Sequence, residues 1–331
     1  MSPAKRDLVG PYCDALRTEG LKVGLYFSHL DWSHPDYASL AVPKDWKEFN
    51  TYSFTADKKD KPEAWERFLK YHRGQLTELQ TLYKPDLLWF DGDWERSAEQ
   101  WRMKELREML LKNQPNVILN SRMQGYGDYA TPEQGVPVLA PKGPWELCMT
   151  INDSWGYQGK DNNYKSLNYI IQIFAECIGM GGNLLLDIGP KQDGTIDGPQ
   201  VAILKGLGRW TKKHSEAIWG TMAGLPLGHV YGPTTLSKDK KTIYLFYFGS
   251  PNGEVVLKGV RNNIKNIRIV GSNTSITWKR NGGAAWTGIP GNMLMVIPVQ
   301  ELDDNCTVIA VDLDGELDLY HGAGGGAIEA N

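Results

Sequence analysis

The feature that most limits what this chain can fold into is an alternation that runs through its first 222 residues. A helical apolar periodicity is followed by a short apolar run, and the run ends in a polar or glycine-rich exit, about five times over. The short runs cover residues 21–28, 87–90, 117–120, 145–152 and 183–188. Runs this short, bounded by turn signals, read as buried strands, whereas Trp65, Phe68, Leu69, His72, Leu76 and Leu79 recur at helical spacing. Strands and helices in alternation build a parallel sheet covered by helices. Polar groups gather just past the strands, at Tyr26, Asp91, Arg122 and Asn152, where (β/α)8 barrels place their active sites. A dinucleotide-binding sheet is the competitor, but no GxGxxG follows a first strand. Gly179-Met180-Gly181-Gly182 precedes a strand rather than a helix.

Near residue 222 the texture changes. Runs at 242–248, 254–257, 267–270, 275–278, 293–299 and 306–311 are short and β-rich, with turns such as Asn281-Gly282-Gly283 between them. That spacing predicts an antiparallel β-sandwich. The expected organisation is thus an α/β, barrel-like domain over 1–222, a β-sandwich over 223–320 and a flexible glycine-rich tail over 321–331.

The most chemically pointed stretch runs Leu87-Leu88-Trp89-Phe90-Asp91-Gly92-Asp93-Trp94-Glu95. The strand delivers Asp91 to the rim of a sheet, and Gly92 permits a tight exit. A carboxylate flanked by tryptophans suits a site that handles sugars; the plainer alternative is a solvated acidic turn. The totals agree with a neutral ligand. The chain carries 36 basic against 39 acidic residues, with 12 tryptophans and 15 tyrosines, which points away from nucleic acid and from anionic membrane surfaces. No apolar stretch is long enough to span a membrane, and no signal peptide is visible at Met1. Cys13, Cys148, Cys177 and Cys306 show no CxxC spacing, so free core cysteines are expected rather than a zinc site or disulfides.

Several motifs then stand together in one order: Gly24-Leu25-Tyr26-Phe27-Ser28, Leu88-Trp89-Phe90-Asp91-Gly92, Asn120-Ser121-Arg122, Trp145-Glu146-Leu147-Cys148-Met149-Thr150-Ile151-Asn152 with Ser154-Trp155-Gly156-Tyr157, and Gly181-Gly182-Asn183-Leu184-Leu185-Leu186-Asp187-Ile188-Gly189-Pro190. From about residue 5 to the end of the sandwich the chain resembles the alpha-L-fucosidases of glycoside hydrolase family 29. The resemblance implies a retaining exo-glycosidase, with a barrel-like catalytic domain and a C-terminal β-sandwich, acting on fucosylated oligosaccharides or glycoconjugates. It implies Asp91 as the nucleophile. Tyr26, Trp89 and Arg122 match positions that line the fucose pocket. A retaining pair of carboxyl groups sits roughly 5 Å apart, and the second group must hold a proton near working pH. Glu133, on the segment Asp128-Tyr129-Ala130-Thr131-Pro132-Glu133, is the preferred acid/base; Glu146, within the Trp145 strand, is the alternative, with a structural acceptor role open to it. Asp93 and Glu95 are expected to be solvated or to hold the loop. Neither metal nor organic cofactor is required, because two carboxylates suffice. Family members are periplasmic, secreted or lysosomal, and homo-oligomerisation stays open.

One departure from the family lies at the start. Its His-Trp-Gly and paired-histidine motifs are absent from this sequence, and a full barrel needs ~250 residues. The expectation is a chain lacking the first three barrel units, with little or no activity alone. An inactive or glycan-binding remnant and a retaining glycosidase for a related sugar such as galactose are the other readings.

Overall fold

A computed structural model describes residues 5–39, 60–249, 254–272, 274–284, 286 and 288–322. The end of the expected tail and residues 40–59 and 250–253 lie outside the described residues. The chain forms two compact units, Met1–Thr131 and Pro132–Asn331; the expected boundary at 222/223 falls inside the second.

The first unit runs α1 (Val9–Thr18), β1 (Gly24–Ser28), α2 (Pro62–Tyr83), β2 (Leu87–Asp91), α3 (Ala98–Trp101), α4 (Met103–Asn113) and β3 (Ile118–Leu119). Its sheet is parallel, in the order β1-β2-β3. Helix α2 begins with a proline in its first turn and ends at Lys84, whose φ of 47° is left-handed. Pro85 cannot continue a helix, so the chain leaves extended. Asp86 then fixes the register of the two strands. Its carboxylate accepts the Val23 N–H at 2.9 Å, while the Asp86 N–H donates to the Val23 carbonyl at 2.8 Å. Tyr26 consequently pairs with Trp89, and Ser28 with Asp91.

Strand β2 obeys the two-residue side-chain period. Leu88 and Phe90 are fully buried, in one core with Phe68, Leu76, Trp101, Leu106 and Leu119. Trp89 and Asp91 therefore occupy the opposite face of the sheet. Burial of residues such as Phe90 stabilises by about 1.5–3 kcal/mol each, which secures the outward presentation of Asp91.

The second unit holds β4 (Glu146–Thr150) and β5 (Asn183–Asp187), a parallel pair joined through α5 (Leu167–Gly179). Ser166 caps α5 by accepting the Tyr169 N–H at 3.1 Å. After α6 (Gly198–Lys213) come two antiparallel sheets. One has five strands: β6 (Met222–Ala223), β7 (Thr234–Leu236), β8 (Thr242–Tyr247), β10 (Ile264–Ile269) and β13 (Thr307–Leu313). The other has three: β9 (Glu254–Leu257), β11 (Trp278–Asn281) and β12 (Asn292–Val296). Period two again divides the work. Ile243, Leu245, Ile309 and Val311 share a core with Val255, Leu257, Met293 and Met295 of the three-stranded sheet. Tyr244, Phe246, Val308 and Ala310 pack instead on Ile171, Ala175 and Trp210 of α5 and α6. The five-stranded sheet is thus covered on both faces, which explains why β8 reads as an unbroken apolar run. All four cysteines are buried and unbridged. Among the described residues no helix is long and apolar enough to cross a membrane.

Candidate active site

Asp91 is the last residue of β2, and the register set by Asp86 decides what surrounds it. The Tyr26 hydroxyl donates to Asp91 Oδ2 at 2.9 Å, and Arg122 Nη1 donates to Oδ1 at 2.7 Å. Each carboxylate oxygen therefore has its own donor, one neutral and one charged. The Tyr26 ring stacks on Trp89 with centroids 5.8 Å apart, and the Arg122 guanidinium lies 5.4 Å from the Trp89 ring centre. Cation–π contact of this kind stabilises a guanidinium over an indole face. The four sequence-predicted residues Tyr26, Trp89, Asp91 and Arg122 thus form one contiguous cluster, open enough for Tyr26 to remain 62% exposed.

Gly92 has φ +78°, and a Cβ there would come within 2.5 Å of Leu30. Only glycine allows the chain to turn away directly behind Asp91. Beyond it, Asp93 and Glu95 are both buried and both brace loops. The Asp93 carboxylate accepts the Gln124 N–H, and the Asp93 carbonyl accepts Gln124 Nε2, each at 3.0 Å. Glu95 accepts Trp32 Nε1 at 3.0 Å and the hydroxyls of Tyr37 and Ser39 at 2.6 and 2.8 Å. Burial, with Glu95 beside it, pushes the Tyr37 hydroxyl pKa far up. The exits of β1, β2 and β3 are stitched together by these two carboxylates, which settles their role as holding the loop. Trp94 lies between them and turns outward, 48% exposed.

Arg122 is held in place by its backbone. Two residues earlier, buried Asn120 clamps the end of β2 in both directions: the Phe90 N–H donates to Asn120 Oδ1 at 2.8 Å, and Asn120 Nδ2 donates to the Phe90 carbonyl at 2.9 Å. His29 contributes twice. Its N–H donates to the Asp91 carbonyl at 2.8 Å, and its Nε2 meets the Arg122 carbonyl at 2.9 Å. Asn120 stands in one of the sequence motifs, whereas no local sequence pattern marks His29. His29 is fully buried, and burial, opposed by the hydrogen bond to the Arg122 carbonyl, drives its pKa down to about 3. His34 is half-buried against Tyr71, and His72 is buried in the helix interface as expected.

The other predicted carboxylates belong to the second unit. Glu133 is exposed, and its backbone forms a bridge to Cys148. The Gln134 N–H donates to the Cys148 carbonyl at 2.8 Å, and the Cys148 N–H donates to Pro132 at 3.0 Å. The segment is pinned along β4. Glu146 is half-buried and opens β4, opposite Asn183. Thr150 and Asp187 lie together at the far end of the pair. Asn152 is buried, and its carbonyl accepts Lys165 Nζ at 2.8 Å. Asp187 is different: burial raises its carboxyl pKa to about 6, and its buried Oδ2 has no hydrogen-bond partner among the described residues.

The family model described as Alpha-L-fucosidase matches residues 1–216. An alpha-L-fucosidase of Branchiostoma floridae is 31% identical over 65% of this chain and 47% of its own length. The tissue alpha-L-fucosidase of Macaca fascicularis is 30% identical over 88% of this chain and 60% of its own. The chain therefore spans about half the length of these relatives. Among solved structures, alpha-L-fucosidase isoenzyme 1 from Paenibacillus thiaminolyticus superposes with a TM-score of 0.82 at 32% identity, covering 94% of this chain and 76% of that one. An alpha-fucosidase of Thermotoga maritima, solved with a mechanism-based inhibitor, gives a TM-score of 0.71 at 26% identity, over 93% and 68%. With the family model covering most of the chain and relatives at this identity, the protein belongs to the alpha-L-fucosidase family.

Proposed function

We propose that this chain carries the machinery of a retaining exo-alpha-L-fucosidase acting on fucosylated glycans, with Asp91 as nucleophile. The observation that carries the reading is the doubly held carboxylate at the C-terminal end of a parallel strand, the place where barrel enzymes gather catalytic groups. Asp91 attacks the anomeric carbon, displacing the aglycone oxygen as that oxygen takes a proton from the acid/base. Water then attacks the glycosyl ester, giving its proton to the same acid/base and releasing the Asp91 carboxylate. The two donors on Asp91 matter most in this second step, because they receive the charge that returns to the leaving carboxylate.

Glu133 is the proposed acid/base, with Glu146 the weaker choice. Glu146 opens its strand, at the end opposite the one where parallel sheets gather ligands. Tyr26, Trp89 and Arg122 are proposed to line the sugar site; the Trp89 face suits the apolar C6 methyl of fucose. The same reading assigns 1–222 to a (β/α) barrel-like catalytic domain and 223–320 to a C-terminal β-sandwich.

The test is chemical rescue. Asp91→Gly should abolish release of 4-nitrophenol from its α-L-fucoside, and azide should restore it with formation of the β-fucosyl azide. Azide that leaves Asp91→Gly inert removes Asp91 from the nucleophile role, and fucose binding without turnover by the wild-type chain identifies a glycan-binding protein instead.

A further inference from the structure

The ion pair between Asp91 and Arg122 joins the end of β2 to the loop after β3, and one residue fastens both of their backbones. His29 donates its N–H to the Asp91 carbonyl and sets its imidazole against the Arg122 carbonyl. A carbonyl only accepts, so His29 Nε2 carries a hydrogen. Since the buried ring is neutral, Nδ1 is then a bare acceptor. Its neighbour at 3.0 Å is His72 Nε2, which must therefore be the donor. His72 Nδ1 is left as an acceptor and faces Arg73 Nη1 at 3.1 Å. Direction is fixed throughout: Arg73 donates to His72, His72 to His29, and His29 to the Arg122 carbonyl. Arg73 is itself held by the carbonyl of Trp101, at the end of α3. Phe90 stacks on the His29 ring at 4.7 Å, with His72 and Trp101 each 5.3 Å away, so the imidazole has no second position.

We propose that the buried relay Arg73–His72–His29 is a positioning device that sets the Arg122 backbone and, through it, the orientation of the Asp91 carboxylate. His29 and His72 are positioning residues and touch no substrate. The relay's kinetic consequence rests on the reading of Asp91 as nucleophile; its structural consequence does not. Buried ring nitrogens must be paired for stability alone, so the kinetic test separates the two roles: a nucleophile displaced by an ångström loses rate by ~100-fold.

Two measurements test it on the full chain. In the first, long-range proton–nitrogen spectra assign the tautomers of His29 and His72; both rings should be neutral with hydrogen on Nε2. A hydrogen on Nδ1 of either ring overturns the relay. In the second, His29→Phe keeps the aromatic stack and removes the donor, while His29→Gln restores an N–H near the Nε2 position. His29→Phe should lower kcat on 4-nitrophenyl α-L-fucoside by roughly 10–100-fold with KM within about threefold, and His29→Gln should recover most of the loss. Folded His29→Phe with wild-type kcat, or His29→Gln no better than His29→Phe, overturns the proposal. If His29→Phe does not fold, His72→Phe and His72→Gln give the same contrast one link further out. If the wild-type chain turns over too little substrate to measure, the Arg122 guanidinium signals decide: resolved in wild type, merged in His29→Phe and resolved again in His29→Gln supports the relay, while resolved signals in all three sink it.

Discussion

Asp91 and Asp187 each close a parallel strand, β2 in the first unit and β5 in the second, yet their surroundings are opposite. Asp91 has a donor on each oxygen, Tyr26 from the neighbouring strand and Arg122 from the loop after β3. Asp187 has a buried oxygen with no partner among the described residues, and burial lifts its carboxyl pKa to about 6. The end of a parallel strand delivers a carboxylate to the rim, but it does not equip it. Equipment comes from register, which set Tyr26 opposite Trp89, and from a neighbouring loop pinned by Asn120 and His29.

The sharpest way to break this contrast is to neutralise both aspartates in turn. Asp91→Asn should cut turnover of an aryl α-L-fucoside by at least about 1,000-fold, since it removes the attacking group. Asp187→Asn should cost less than about tenfold, within the range of a packing change. Comparable losses at the two positions would mean that equipping donors do not mark the reactive carboxylate. Next in size are the donors themselves. Hydrogen bonds to charged groups are worth about 1.5–3 kcal/mol, so Tyr26→Phe and Arg122→Met should each lower kcat by roughly 10–100-fold. With the returning charge unsupported, Tyr26→Phe should also show an initial burst of 4-nitrophenol as the glycosyl ester accumulates, visible by stopped-flow.

Much of this site was legible in the sequence. An apolar run stopping at Asp91-Gly92 gave the strand end, and the βα alternation gave the side on which it opens. Asp93 and Glu95 could not be resolved there between solvated and bracing roles, because their donors come from Gln124, Trp32, Tyr37 and Ser39, far apart along the chain. His29 was harder still. It follows Ser28 in a polar segment, and nothing in a local pattern shows that Phe90, His72 and Trp101 close over it. Strand edges also moved: the run at 275–278 reads as β-rich, but the ladder forms at Trp278–Asn281, with Ser275 left as a single bridge to Arg268. Hydrogen bonding across the sheet, rather than apolar content, decides such boundaries.

The two buried histidines of the first unit and Asp187 of the second should also respond to pH with opposite signs. His29 has its pKa lowered to about 3 from an ordinary 6.5, and His72 is lowered too, both by burial. In acid the unfolded chain takes up protons that the folded chain refuses. Stability from these groups is fully present above about pH 6.5 and declines as pH falls toward 3, by up to about 1.4 kcal/mol per unit for each ring. Denaturant melts between pH 7 and 5 should show that decline, and His72→Gln should flatten it; a slope unchanged in the variant would mean the histidines are charged or solvated.

Asp187 runs the other way and is the smallest effect. Its folded pKa stands above the unfolded value of 3.8, so here the folded chain holds the proton more tightly. Its contribution is fully present below about pH 4 and is lost as pH rises through 6, where the partly buried carboxylate ionises. Partial solvent access screens the penalty to about 1 kcal/mol at neutral pH. Asp187→Asn keeps the shape and removes the charge, so it should raise the denaturation midpoint at pH 7 and leave it unchanged at pH 4. Equal stabilisation at both values would trace the gain to packing rather than ionisation, and the contrast between the two strand-end carboxylates would lose its electrostatic basis.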